Sequence, residues 1–256
     1  MKKFSTVDNQ NLQKAQSIMF EILIEVDKIC QKYNIEYWLD GGTLLGAVRH
    51  KEFIPWDDDL DVAMKIEDYH TFCRLAKEEL PSSMFFQTNE TDGSFPYDFA
   101  KIRSDNAQII EEHEAGKKVL YHQGVFIDIF PMISIEKSFY YPFARKLTYM
   151  CIKLFSYKYF NIRMIRRWII NYVESLHAGW EKDDNIVIYS GRIPNLNFAI
   201  KVSDFFPLSK ETFKNKDFPV PKSAHNFLVS LYGKDYMTLP PENKRKTHAS
   251  KIEIYG

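Results

Sequence analysis

Four aspartates fall within five positions, Asp57, Asp58, Asp59 and Asp61, with Trp56 on one side and Leu60, Val62, Ala63 and Met64 on the other. Charges of one sign bordered by apolar residues are costly to bury. In an extended segment side chains two apart share a face, so Asp57, Asp59 and Asp61 converge while Asp58 points away. Carboxylates held that close raise one another's pKa unless a cation sits among them. A strand at about 59–64 is therefore expected, carrying a divalent-metal site. The competing reading is a solvated acidic turn.

A further carboxylate, Asp128, interrupts the apolar run Val125-Phe126-Ile127-Asp128-Ile129-Phe130, a second expected strand closed by Pro131. If the two strands are neighbours, Asp128 completes an all-oxygen set with Asp57, Asp59 and Asp61, suited to Mg²⁺ or Mn²⁺. Otherwise Asp128 pairs with Arg49 or Arg103. A calcium loop of the EF-hand kind is excluded, because Val62 stands where glycine is required and Asp68 where glutamate is.

Upstream, IEYWL at 35–39 reads as a buried strand running into Gly41-Gly42-Thr43, with Thr43 capping a short helix. A glycine turn before a helix amino terminus offers backbone N–H groups to phosphate. Neither a Walker A loop nor a dinucleotide fingerprint is present. Arg49 on that helix, and Lys101 and Arg103 on one face of the expected strand FAKIRSD, are candidates to neutralise a diphosphate. Lys244, Arg245 and His248, after Pro240-Pro241, either close over the phosphates or form a solvated end.

The remaining pattern fixes the architecture. Apolar residues recur at threes and fours from Asn11 to Tyr33, giving a long amphipathic helix, and a second helix is expected at 67–80. Short strands are expected at 84–88, 98–103 and 107–111. Helix follows from Ser138 to His177, and Pro207, Pro219, Pro221, Pro240 and Pro241 suggest a coil-rich tail from 183 onward. The fold class is α+β, with a catalytic core at 1–135 and a helical and coil-rich region at 136–256 packed on it. With 34 basic against 34 acidic residues, the chain lacks the excess needed for sequence-independent nucleic-acid binding. Three scattered cysteines signal no disulfide framework, and no 18-residue apolar run exists, so a cytoplasmic protein is expected. Between Glu136 and Glu174 there is no acidic residue but many basic and aromatic ones, so 138–172 is a candidate for peripheral contact with an anionic membrane, against a plain core-facing stripe with a solvated basic face.

With WLDGGTLLGAVRHKEFIPWDDDLDVAM, then HQGVFIDIFPM, then LYGKDYMTLPPENKRKTHA, the chain resembles the LicD family of phosphocholine transferases, related to fukutin-like phosphotransferases. The resemblance covers much of 35–135 and a segment at about 231–249. It implies a nucleotidyltransferase-like mixed sheet with flanking helices. It also implies transfer of phosphocholine from CDP-choline to a hydroxyl of a lipid-linked, cell-surface glycan precursor of teichoic acid or lipopolysaccharide type, with release of CMP. On that resemblance Asp57, Asp59 and Asp61 are the metal-binding motif, and Asp128 is a metal ligand or base. Gly41, Gly42, Thr43 and Arg49 then hold the diphosphate. Trp38, Trp56 and Tyr97 lie nearest the motifs and are the candidates to face the choline cation, Trp56 first because it abuts the carboxylates; core packing is the competing reading. Two alternatives stand beside this: the same chemistry with CDP-ribitol or CDP-glycerol, and a catalytically idle metal- or nucleotide-binding module.

Overall fold

A computed structural model describes residues 7–137, 162–190 and 200–255. Helix α1 (Asn9–Tyr33) is capped by Asp8, whose carboxylate accepts from the Gln10 N–H at 3.2 Å, and ends at Asn34 in the left-handed region, φ 53°. Its buried stripe of Leu12, Ala15, Met19, Ile22, Val26 and Ile29 is the one the periodicity picked out.

Strand β1 (Tyr37–Leu39) leads into α2 (Gly41–Arg49), and the chain returns as β2 (Asp61–Lys65), antiparallel to β1. Helix α3 (Ile66–Glu79) and strands β3 (Met84–Gln87), β4 (Ala100–Glu111) and β5 (Gly124–Ile135) follow. The β2–β5 pairing is parallel, and the other pairings of the sheet are antiparallel. Beyond it come α4 (Ile162–Ser175), β6 (Ile186–Tyr189), β7 (Ile200–Lys201), α5 (Val202–Phe205), the hairpin β8 (Ser209–Phe213) and β9 (Lys216–Val220), α6 (Ala224–Tyr232) and β10 (Ala249–Ile254). The α+β expectation holds: an eight-stranded mixed sheet in the order β1-β2-β5-β4-β10, with β3 on β4 and β6 and β7 extending from β5.

Helices α1 and α3 cover one face of this sheet, where Val62, Met64, Ile102, Ile127 and Ile129 are buried. Because side chains alternate along a strand, the residues between them project to the opposite face. Register places Asp61 beside Asp128 and Asp128 beside Lys101, so three charged residues form one row across β2, β5 and β4.

Several local expectations change. The strands expected at 98–103 and 107–111 are one strand, β4, irregular between Arg103 and Gln108. Pro131 does not end β5 but lies within it. On that edge β4 pairs up to Ile129 and β6 takes over at Met132, so the missing proline N–H falls at the handover between partners. The coil-rich tail contains β6 and β10, which pair with β5 and β4, so residues after 136 complete the sheet itself. Of the 138–172 stretch, residues 138–161 lie outside the described ones. In α4 Trp168 and Tyr172 are exposed and stacked at 6.1 Å. No helix among the described residues is long and apolar enough to cross a membrane.

Candidate active site

Asp57 and Asp59 lie in the loop before β2 rather than in the strand, and Asp61 is its first residue. Convergence therefore comes from the loop's supports and not from strand alternation alone. Gln16 on α1 donates to the Asp57 carbonyl at 2.8 Å and to the Ile54 carbonyl at 3.3 Å. The Asp61 N–H donates to the Thr43 hydroxyl at 2.8 Å. Thr43 is not the cap of α2: Asp40 occupies that position, and Thr43 sits in the first turn, where its side chain fixes the start of β2.

The two glycines have a steric reason. Gly41 adopts φ +50°, and a Cβ there would come within 2.5 Å of an Asp61 carboxylate oxygen; a Cβ on Gly42 would come within 2.7 Å of one on Asp57. The turn and the carboxylates are thus in direct apposition. Burial, then Asp59 and Asp58, push the Asp57 carboxyl well above its usual range. Burial, then Asp58 and Asp128, push Asp59 up to about 6.

Three other carboxylates of the region are met by the protein. Asp58, buried, accepts from the His248 and Ala249 backbone N–H groups, so the amino end of β10 is tied to the acidic loop. The Asp58 carboxylate, together with Asp59 and Asp57, lifts the His248 imidazole to about 9 against its partial burial. Asp40, buried at the start of α2, accepts from the Tyr189 hydroxyl at 2.7 Å. Asp128 lies 2.7 Å from the Lys101 ammonium.

The basic candidates divide. Lys101 is 3% exposed, paired with Asp128 and seated 3.3 Å from the Phe126 ring centre; burial pulls its ammonium below the usual value, Asp128 opposing. Arg103 is also buried, donating to the Gln87 side chain and to the Gly124 carbonyl. Both are buried rather than open to solvent. Arg49, half-buried at the end of α2, donates to the Tyr236 carbonyl at 2.7 Å and to His50 at 3.0 Å. Arg245 donates to the Pro240 carbonyl and lies 5.1 Å over the Trp56 ring, which also meets His50 edge-on. The face of Trp56 expected to receive a ligand cation thus holds the protein's own guanidinium. Lys244 is exposed in a short 3₁₀ turn.

Asp40, Tyr189 and Tyr232 were not among the sequence-derived site residues. Tyr232, at the end of α6, sits in the field of Asp61, Asp40, Asp57 and Asp59, which together with burial raises its phenol. Asp40 and Tyr232 lie inside the first and last quoted motifs, which was the available signal; Tyr189 had none. Among the described residues the group of three whose ligand atoms all fall within 4.8 Å of one another is Glu111, His113 and Glu114, at the end of β4; no three of Asp57, Asp59, Asp61 and Asp128 meet that spacing.

Residues 34–153 match the family model for the LicD/FKTN/FKRP nucleotidyltransferase domain. Over 93% of its length the chain is similar to the lipopolysaccharide cholinephosphotransferase LicD of Haemophilus influenzae, at 29% identity and across 95% of that protein. A 40-residue stretch is 48% identical to the human ribitol 5-phosphate transferase FKRP, covering 16% of this chain and 8% of that one. A 56-residue stretch is 46% identical to the uncharacterized protein RP689 of Rickettsia prowazekii, 22% of this chain and 21% of that one.

Proposed function

We propose, from the premise that residues 34–153 form a LicD-type nucleotidyltransferase domain, that the protein is a phosphotransferase that moves phosphocholine from CDP-choline to a sugar hydroxyl of a lipid-linked glycan precursor, releasing CMP. The observation that carries this reading is the crowding of Asp57 with Asp59, both with raised carboxyls, together with the apposition of Asp57 and Asp61 to the Gly41-Gly42 turn. An all-oxygen set of that kind fits a hard divalent cation such as Mg²⁺, held by Asp57, Asp59 and Asp61. When bound, the ion neutralises charge developing on the diphosphate.

The chain's own groups do the rest. The Gly41-Gly42 turn lies at the start of α2, whose helix dipole and first N–H groups favour phosphate oxygens. Arg49 and Arg245 flank the loop from the other side, their guanidiniums already positioned by Tyr236 and Pro240 carbonyls. Asp128, fixed by Lys101, is the carboxylate placed to take the proton from the acceptor hydroxyl as its oxygen bonds to phosphorus and the bond to the CMP oxygen breaks. The helix carrying exposed Trp168 and Tyr172 provides a surface for peripheral contact with the membrane that holds the acceptor. Choline as the head group follows the relative that covers most of the chain; ribitol is the head group named for the relative matched over 40 residues.

The test is CMP release by purified protein with Mg²⁺ and a lipid-linked glycan extract, comparing CDP-choline, CDP-ribitol and CDP-glycerol. Choline-selective release, reduced to below about 1% in Asp59→Asn, is expected, since removing one element of a charge-stabilising set costs about 10²–10³ in rate. Release from a polyol donor alone overturns the choline assignment, and an Asp59→Asn variant of normal rate overturns the role of the acidic loop.

A further inference from the structure

A cationic head group on a two-carbon arm reaches only the immediate surroundings of the reacting phosphorus, so the surface that reads it must border the carboxylate loop. It must also stay negative once a divalent ion occupies that loop. Four aromatic residues near the loop can be compared on those terms. Trp38 is fully buried against Phe205 and Phe206. Trp56 carries on its ring Arg245, which has no ion-pair partner among the described residues, unlike the Lys101 ammonium that Asp128 neutralises. Tyr232 stands against Asp61, Asp40, Asp57 and Asp59, a group whose charge a bound divalent ion partly cancels.

Tyr97 meets both conditions. Its half-buried ring stacks on Phe99 at 5.2 Å and meets the edge of Phe95 at 5.2 Å, so its orientation is fixed by packing. One ammonium, that of Lys101, spans from Asp128 at 2.7 Å to the Tyr97 and Phe99 rings at 5.7 Å each, which places this wall beside the reacting carboxylate. The Tyr97 hydroxyl bonds the exposed His113 at 3.2 Å. Glu111 and Glu114 lie next to His113 within 4.8 Å. Neither glutamate has an ion-pair partner among the described residues, and neither belongs to the acidic loop. Glu114 is committed to Tyr121, Gln123 and the Glu111 N–H, which leaves Glu111 as the carboxylate whose side chain is half-exposed beside the ring.

We infer that the wall of Tyr97 and Glu111 binds the quaternary ammonium head of the donor and thereby sets head-group choice, an inference that rests on the CDP-choline reading above. An aromatic face with a nearby carboxylate attracts a methylated ammonium by cation–π and Coulomb forces, whereas an uncharged polyol gains nothing from either.

The experiment is calorimetric titration of the full chain, with Mg²⁺, using CDP-choline and CDP-glycerol as probes. Tyr97→Leu is expected to weaken CDP-choline about tenfold, within the range of one cation–π contact, and to leave CDP-glycerol unchanged. Tyr97→Phe keeps the ring and is expected to keep the affinity. Glu111→Gln is expected to weaken CDP-choline several-fold with no effect on CDP-glycerol, and it carries the test if leucine at 97 impairs folding. Equal losses for both donors, or no loss for CDP-choline, overturn the assignment while the donor reading stands. A wild-type chain that transfers from a polyol donor and not from CDP-choline overturns the donor reading and this inference with it.

Discussion

Lys101→Met isolates the buried pair on which the catalytic face depends. Lys101 is 3% exposed and its ammonium lies 2.7 Å from the carboxylate of Asp128, itself 7% exposed. Methionine matches the lysine stem but leaves Asp128 buried without its counter-charge, a change that costs about 3–5 kcal/mol. The 3.3 Å approach of the ammonium to the Phe126 ring adds about 0.5–2 kcal/mol to what is lost. A loss of about 4 kcal/mol lowers the melting temperature by about 10 °C in a chain of this size. Urea unfolding of four proteins, wild type, Lys101→Met, Asp128→Leu and the double variant, gives the coupling directly. Each single variant is expected to fall by several kcal/mol, whereas the double variant recovers most of the loss, because replacing a buried ion pair by apolar groups is often close to neutral. Lys101→Met costing under about 1 kcal/mol, or a double variant that loses the sum of the singles, would refute the pairing.

Two further outcomes are expected. Gly42→Ala puts a methyl within 2.7 Å of an Asp57 carboxylate oxygen, so Asp57 must move; CMP release is expected to fall about 10²-fold at nearly unchanged melting temperature, whereas Gly41→Ala adds left-handed backbone strain of about 1–2 kcal/mol and lowers both. Calorimetric melting with and without Mg²⁺ tests the acidic loop apart from catalysis: saturation to about 100 times the dissociation constant stabilises by about 2.7 kcal/mol, a shift absent in Asp59→Asn. That variant is expected to melt at or above the wild-type temperature in metal-free buffer, since it removes one of the carboxylates whose pKa burial and repulsion have raised.

Periodicity and turn chemistry made the local elements legible. The stripe from Leu12 to Ile29, the strand before Gly41-Gly42 and the helix after β2 each declare themselves within one segment, where the signal is the repeat of apolar residues. What the sequence hid is long-range. Pro131 stops a strand only if its N–H is needed, and whether it is needed depends on which neighbour lies alongside, β4 or β6. Lys101 and Arg103 read as phosphate ligands by charge and strand face alone; their surroundings are set by Phe126 and Gln87, which come from other segments. Asp58 points away from Asp57 and Asp59 as alternation implies, but its partners, the N–H groups of His248 and Ala249, lie about 190 residues on.

Those distant partners explain why the carboxylates can be both crowded and ordered. The loop from Trp56 to Asp61 is held at Asp57 by Gln16, at Asp61 by Thr43, at Asp58 by the start of β10 and at the Trp56 carbonyl by the adjoining Thr247 hydroxyl, so three separate segments fix four of six consecutive residues. Each is a hydrogen bond contributing about 0.5–3 kcal/mol, the larger values applying to those that end on the Asp58 carboxylate. Repulsion between Asp57 and Asp59 works against folding, and these bonds offset it before any ligand arrives. A loop so constrained pays little reorganisation when phosphate and cation enter, which is the condition under which fixed charges act on a transition state instead of relaxing around the substrate. The C-terminal segment therefore shapes the acidic loop: β10 anchors Asp58, Thr247 and Arg245 meet Trp56, and the Tyr236 carbonyl holds Arg49.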